Sequence, residues 1–321
     1  MKAYPLSFRP VFQERIWGGS RLREFGYSGA SDGIGEAWVI SDHDHGPTPV
    51  ADGPLAGKRL SEVMRAYPEW FGLPPGARFP LLVKVIDASE DLSVQVHPDD
   101  RYARPRGDAG KTEAWFVLFA EPGASIVYGH RAQTREEFEK RMKEGAWGNL
   151  LVKVPVRAGD FFYVPSGTLH AIGRGLLILE IQQSSDTTYR VYDYDRVGAD
   201  GRKRDLHVKE ALAVTRCPSP KPQRPGYARS GRVGAVIEHL VRGEVFTIDH
   251  WRVDGEARLD ESGVFRLINV IQGSGEMVWD HGRRPVAKGD HLLLPAVLHP
   301  VVLSGRFEAL FSAPVISTRA K

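Results

Sequence analysis

Cysteine is almost missing from this chain: its 321 residues contain one, Cys217. A single thiol excludes an intrachain disulfide framework and any multi-cysteine zinc finger. Long hydrophobic runs are missing too. No window approaches the roughly 20 apolar residues that a membrane-spanning helix needs, and the opening "MKAYPLSFRP" lacks the apolar core of an export signal. Net charge is small, with 43 Lys and Arg against 40 Asp and Glu for a formal +3. That excess is too weak to argue for nucleic acid, although it suits an anionic small substrate. These absences point to a cytoplasmic protein with no nucleic-acid or membrane partner. They leave the oligomeric state open, a monomer included.

Glycine and proline are plentiful, at 34 and 22. Between them lie short apolar or alternating runs: "RFPLLVKVIDA", "EAWFVLFA", "DFFYVPS", "GLLILEIQQ", "FRLINVIQG" and "GDHLLLPA". This pattern predicts a mainly-β sandwich or barrel protein with a few short helices. One helix is expected in "TREEFEKRMKEG", where Thr134 and Glu137 form a capping box and Gly145 is a stop signal. A second is expected over 205–214, with Asp205 as its N-cap. The proline-rich, basic stretch 215–232 reads as a linker between an N-terminal domain, 1–214, and a C-terminal domain, 233–321.

The two parts share a repeat. "AGDFFYVPSGTLHAI" starts at Ala158, and "KGDHLLLPAVLHPV" starts at Lys288. Each runs Gly-Asp, four apolar or aromatic residues, Pro, a short turn and Leu-His, the second being one residue shorter before its histidine. Such a turn–strand–turn–strand unit resembles the second motif of cupins, which are double-sheet jelly-roll barrels. The expectation is therefore two cupin barrels.

In "DLSVQVHPDD" the alternation puts Ser93, Gln95 and His97 on one face of a strand. Glu113 opens the next apolar run, and His170 follows the proline turn of the first repeat. A cupin metal site takes two ligands from one strand, a carboxylate from the next and a histidine from the later hairpin. Gln95, His97, Glu113 and His170 occur in that order, with Gln95 where cupins usually have histidine. A single histidine is more often structural than a ligand, but four residues in cupin order make a candidate site for one metal ion per chain. Imidazole and carboxylate suit zinc without strongly separating it from manganese or iron. With one carboxylate, a divalent ion leaves the site with about one net positive charge, which favours an anionic intermediate. The second barrel has His299 but no matching ligands near "FRLINVIQGSGEM", so no metal site is expected there.

Two charges interrupt apolar strands: Lys84 in "PLLVKVIDA" and Glu180 in "LLILEIQQ". A buried, unpaired charge is costly, so each requires a partner or a wet cavity. They either pair with each other, lie on a solvated face, or point into the barrel mouth. Lys111, two residues before Glu113, is expected on the same side of that strand.

Together these stretches resemble type I mannose-6-phosphate isomerases, in particular their short bacterial form. The resemblance is carried by "RIWGG" (15–19), "GIGEAWVIS" (33–41), "PLLVKVIDASEDLSVQVHPDD" (80–100), "GKTEAWFVL" (110–118), "GDFFYVPSGTLHAIGRGLLILEIQQSSDTTYRVYDYDR" (159–196) and "DLHVKEAL" (205–212). It covers most of the first 215 residues, whereas the C-terminal barrel matches only generically. The resemblance implies a zinc-dependent aldose–ketose isomerase that interconverts mannose 6-phosphate and fructose 6-phosphate through a cis-enediolate. The family's zinc ligands fall on Gln95, His97, Glu113 and His170, its active-site arginine on Arg190, its pocket lysines on Lys84 and Lys111, and its pocket acid on Glu180. Lys111 and Glu180 are the candidates for moving the proton. Lys84 is a candidate for opening the sugar ring or holding an oxygen. Trp17 is placed as a wall of the sugar pocket, against an equally plain core role, and Ser93 as a neighbour of the substrate phosphate. Lys84, Arg190 and the 99–111 loop all compete as phosphate donors. Longer family members carry an added helical domain that this chain lacks. A metal-dependent cupin dioxygenase and a non-catalytic sugar-binding cupin are the competing readings. Gln95 and the lysines argue against the first, and the convergence of Lys111, Glu180 and Arg190 on the metal argues against the second.

Overall fold

A computed structural model describes residues 1–27, 29–198, 201–222 and 228–316. The chain is mainly β. Three sheets stack in sequence, and the middle one explains the continuous apolar runs. Its six strands run in spatial order Val11–Gly19, Ile34–Ile40, Leu81–Ala88, Leu176–Gln183, Glu113–Ala120 and Phe161–Val164. One face packs against a five-stranded sheet ordered Tyr189–Tyr192, Val94–Val96, His170–Ile172, Ser125–His130 and Leu151–Pro155. The other face packs against the C-terminal sheet. A strand covered on both faces has no solvent side to mark with polar residues, so Leu81–Ala88 and Leu176–Gln183 are buried at every position.

Strand parity sorts the side chains. Val83, Val85, Phe116, Leu179 and Ile181 point outward and join Leu240, Ile248, Leu267 and Leu310 of the C-terminal sheet in one core. Their in-strand neighbours Ile86, Trp115, Val117 and Ile178 point inward, where they meet Ile126, Tyr128 and Ile172 of the five-stranded sheet and Leu92 just before it. Lys84, Glu180 and Glu113 have that same inward parity. Behind the five-stranded sheet, Val94, Val96, Leu169, Ala171 and Val191 pack beneath the helices Arg135–Lys143 and Val208–Val214.

The repeat folds as one device used twice. Gly159 and Gly289 take φ of 87° and 93°, which glycine alone adopts readily. In each copy the aspartate side chain accepts a backbone N–H three residues back, Arg157 N to Asp160 Oδ2 at 2.9 Å and Ala287 N to Asp290 Oδ2 at 2.8 Å. Each aspartate carbonyl also accepts from a neighbouring strand, at Val117 and at Val270. The strands Phe161–Val164 and His291–Leu294 follow. Past the two proline turns the copies part: His170 is buried between the sheets, whereas the His299 side chain is 44% exposed and faces Glu261.

The helix around 134–144 forms as the capping box implies, with Thr134 as N-cap accepting from the Glu137 N–H. The second helix differs from expectation. It spans Val208–Val214 with His207 as N-cap, not Asp205. The Asp205 carbonyl instead accepts from Arg190, and the His207 N–H donates to the Arg190 carbonyl, which holds 205–207 alongside the strand and delays the helix. The stretch read as a linker, 215–232, begins with a buried Thr215 and ends in the strand Ala228–Arg232, which pairs with Ala235–Arg242; 223–227 lie outside the described residues. The N-terminal strand Leu6–Ser7 completes the C-terminal sheet by pairing with His291–Leu294. The two halves thus share both a sheet and a core. Among the described residues no helix is long and apolar enough to cross a membrane.

Leu310, fully buried in the shared core, tests this union. Leu310→Ala should cost about 2–5 kcal/mol. Denaturant unfolding should still show one transition, shifted to lower denaturant, in both tryptophan fluorescence and far-UV dichroism; separate unfolding of the C-terminal sheet would contradict the shared core.

Candidate active site

Two rows of side chains face each other across the inner gap at one end of the sandwich. On the middle sheet, Trp38 pairs with Lys84, Lys84 with Glu180, and Glu180 with Trp115, all in strand register. On the five-stranded sheet, Gln95 lies in register between Arg190 and His170. The alternation of "SVQVH" therefore marks an inward polar face, since Val94 and Val96 point the other way into the helix-covered core. Ser93 and Gln95 lie on this face, joined by a 3.4 Å hydrogen bond, and His97 follows with the same parity.

Glu113, His97 and His170 are each about 1% exposed. Glu113 Oε1 lies 3.1 Å from His170 Nε2, and its Oε2 lies 3.5 Å from His97 Nε2. Gln95 Nε2 is 3.4 Å from the same His170 nitrogen. Both imidazoles are oriented from behind: His97 Nδ1 donates to the Thr187 carbonyl and His170 Nδ1 to the Thr168 carbonyl, each at 2.9 Å. That tautomer directs both Nε2 lone pairs toward Glu113, with Lys111 Nζ also within reach of the one on His97. Burial and the Lys111 charge hold His97 well below the usual imidazole range, so it is neutral and ligand-competent. Burial pushes Glu113 up, but the Lys111 charge beside it outweighs that and holds its carboxyl well below the ordinary range. Both Glu113 oxygens are buried without a hydrogen-bond donor. A carboxylate facing two imidazole nitrogens is an arrangement that can hold a divalent cation, and His97, Glu113 and His170 form such a metal-competent group.

Lys111 does not sit on the strand, which starts at Glu113. Its N–H bonds the Pro98 carbonyl, and its Nζ reaches His97 Nε2 at 3.1 Å and Glu113 Oε2 at 3.4 Å. The insertion before it is a folded arm. Asp99 caps the helix Asp100–Ala103, Asp100 accepts from Gly110 and Gln183, and Asp108 accepts from Ser185 and Thr187. The arm thereby fixes the loop whose Thr187 carbonyl orients His97.

Lys84 and Glu180 do pair, at 3.6 Å, and both face the cavity. Trp115 Nε1 donates to Glu180 Oε1 at 3.0 Å. Burial and the Glu113 charge raise the Glu180 carboxyl above its ordinary range. Burial alone would lower Lys84, but Glu36 and Glu180 more than offset it and keep the ammonium charged. Arg190 is half-buried, with Nη1 bonded to the Asp205 carbonyl at 2.8 Å. Trp17 lines the cavity and also belongs to the inner apolar core.

The cavity measures about 430 Å³, a size typical of small-molecule sites. Its lining holds five cationic side chains, Arg15, Lys84, Lys111, Arg190 and Arg204, against three carboxylates, Glu36, Glu180 and Asp186. Arg15, Glu36, Trp38, Asp186 and Arg204 were not singled out from the sequence. Glu36 carried the same signal as Lys84 and Glu180, a charge inside an apolar run, "IGEAWVI". It accepts from Trp38 Nε1 at 2.8 Å and Arg15 at 3.0 Å, and its pKa is lowered to about 2, with Lys84 and Arg15 overcoming the burial that would raise it. Arg15 and Arg204 carried no such mark, because arginine in a polar loop or edge strand is ordinary.

A mainly-β sandwich with a buried His–Glu–His group beside a cationic cavity defines a metal-competent enzyme of the cupin class. Residues 236–314 match the family model described as mannose-6-phosphate isomerase, cupin domain, and residues 6–113 match phosphomannose isomerase type I, catalytic domain. Among curated relatives, the mannose-6-phosphate isomerase ManA of Bacillus subtilis (strain 168) is 45% identical over 314 residues, covering 97% of this chain and 99% of the relative. The mannose-6-phosphate isomerase of Streptococcus mutans serotype c is 43% identical over 97% of this chain and 98% of its own length. The crystal structure of the mannose 6-phosphate isomerase from Bacillus subtilis superposes with a TM-score of 0.91 at 42% identity, covering 96% of this chain and 99% of that one. The chain belongs to the type I mannose-6-phosphate isomerase family.

Glu36 offers a check on the buried charge network. Its folded pKa lies below the unfolded value of 4.5, so it stabilises the fold above about pH 4.5, and that contribution disappears as pH falls toward 2. Glu36→Gln should be less stable than the parent at pH 7 by on the order of 3 kcal/mol, with the gap narrowing below about pH 4.5. Urea midpoints of both proteins at pH 7, 5 and 4 measure it; a gap independent of pH would refute the assignment.

Proposed function

We propose that this protein interconverts mannose 6-phosphate and fructose 6-phosphate, using one zinc ion per chain held by Gln95, His97, Glu113 and His170. The observation that carries the reading is Glu113, ionised, buried and without a hydrogen-bond donor, facing the Nε2 atoms of His97 and His170 beside a cavity rich in positive charge. Full-length relatives at 43–45% identity carrying that activity in their names support it.

The ion supplies Lewis-acid stabilisation of oxygen charge on the substrate. The rest falls to the chain's own residues. The cationic lining draws in the sugar phosphate, and Arg190, held by the Asp205 carbonyl, offers a fixed donor to its oxygens. The reaction moves one proton between adjacent carbons of the open-chain sugar, and a hydroxyl proton between their two oxygens, through a cis-enediolate. Glu180, its carboxyl raised by burial and by Glu113, takes that proton and returns it to the neighbouring carbon. Lys84, kept charged by Glu36 and Glu180, offers a hydrogen bond to the ring oxygen of the closed sugar and to the carbonyl oxygen of the open chain, and keeps its proton. Lys111, 3.1 Å from His97, is the second candidate for the proton and in either case holds positive charge where the enediolate develops. Ser93 is tied to Gln95 at 3.4 Å, so it supports the ligand strand as well as the cavity wall that meets the phosphate.

A coupled assay reporting fructose 6-phosphate should show turnover that chelation abolishes and zinc restores. His97→Ala should lose both bound metal and activity. Glu180→Gln should lower kcat by about 10²–10⁴-fold with metal content intact, the usual worth of a general acid–base; Lys111→Met assayed beside it decides between the two bases. Undiminished turnover in metal-free protein would sink the reading. Oxygen uptake, or sugar-phosphate binding without turnover, would favour the dioxygenase or the binding protein instead.

A further inference from the structure

Outside the buried cluster, a second group of metal-ligating side chains meets at the cavity rim. His43 and His45 sit on the loop after the strand Ile34–Ile40, and Asp186 sits on the loop after Leu176–Gln183. One ligand atom from each lies within 4.8 Å of the other two. His43 Nε2 is 3.5 Å from Asp186 Oδ1, and His45 Nδ1 contacts Asp186 Oδ2, so each carboxylate oxygen faces an imidazole nitrogen. Donor atoms at such separations fit a shared ion about 2.0–2.2 Å from each.

Both loops are pre-set. The His43 ring packs edge-on to Trp38, 5.8 Å between centroids, and Trp38 is fully buried. The His43 N–H donates to Ser41 Oγ, and Gly46 closes the turn onto the His43 carbonyl. Across the gap, Ser185 and Thr187 flank Asp186 and both donate to Asp108. Two imidazoles and one carboxylate form a donor set for zinc, nickel or copper rather than magnesium or calcium. The side chains of His43, Asp186 and His45 are 17%, 33% and 71% exposed, which admits an ion from solvent and lets water complete its shell.

We propose that His43, His45 and Asp186 form a second, solvent-accessible site for a divalent transition-metal ion, weaker than the buried one. His43 Nδ1 accepts from the His45 N–H at 3.3 Å, so coordination through Nε2 shifts the imidazole proton to Nδ1 and gives up that contact. Asp186 lines the cavity whereas neither histidine does, so an occupied site ties the 41–46 loop to the cavity wall and neutralises a carboxylate facing the substrate.

The test is a zinc titration of holoenzyme whose buried site is already loaded, read by equilibrium dialysis with metal analysis. Unaltered protein should take up a second, weaker equivalent. His45→Ala, at an exposed position, should lose that equivalent while keeping the first and its isomerase turnover; His43→Ala should behave likewise. His97→Ala in parallel should lose the buried equivalent and retain the rim one, which separates failure here from failure of the catalytic assignment. A single equivalent in the unaltered protein, meaning an ion pair only, would overturn the proposal. So would a second equivalent that survives His45→Ala.

Discussion

Everything at the inner end of the sandwich answers to one constraint: charges buried between two sheets must be compensated locally. Water cannot solvate them there, and an unpaired charge costs several kcal/mol. Glu36 is met by Trp38 and Arg15, Lys84 by Glu36 and Glu180, and Glu180 by Trp115. Glu113 is left short of hydrogen-bond donors, with Lys111 Nζ 3.4 Å away as its charge partner, and it faces the Nε2 atoms of two imidazoles. The chain of compensation thus ends at a His–Glu–His group that could hold a metal ion.

The architecture protects this arrangement. The middle sheet is covered on both faces, by the C-terminal sheet through Leu240, Ile248 and Leu310 and by the five-stranded sheet through Ile126 and Ile172. Among the described residues the C-terminal sheet contributes none to the cavity lining, yet it keeps the outer face of the Lys84 and Glu180 strands dry. The helices behind Val94, Val96 and Ala171 do the same for the ligand strands.

Much of this was readable from the residues. The period-two pattern around Gln95 identified a polar strand face, the duplicated Gly-Asp…Pro…His hairpin pointed to the barrel class, and interrupted apolar runs exposed Lys84 and Glu180. The same reading passed over Glu36, whose run is equally apolar, and started the second helix at Asp205. A capping residue is judged by its side chain, and here the Asp205 backbone carbonyl is engaged by Arg190, a partner 15 positions away. His170 and His299 looked alike for a similar reason: the hairpin is local, but what surrounds its last residue is not.

The sequence by itself determined which strands are two-faced, which side of each is polar, and which residue types could bind an ion. Those properties follow from alternation and from the chemistry of single side chains. Tertiary structure decided that the polar faces of two different sheets look at each other, that Thr187 and Thr168 turn both imidazoles toward Glu113, and that His43 and His45 meet Asp186. The physical reason is distance along the chain. Glu113 and His170 are 57 positions apart, His45 and Asp186 are 141; neither proximity has a local signature, and only the packing of sheet on sheet closes those gaps.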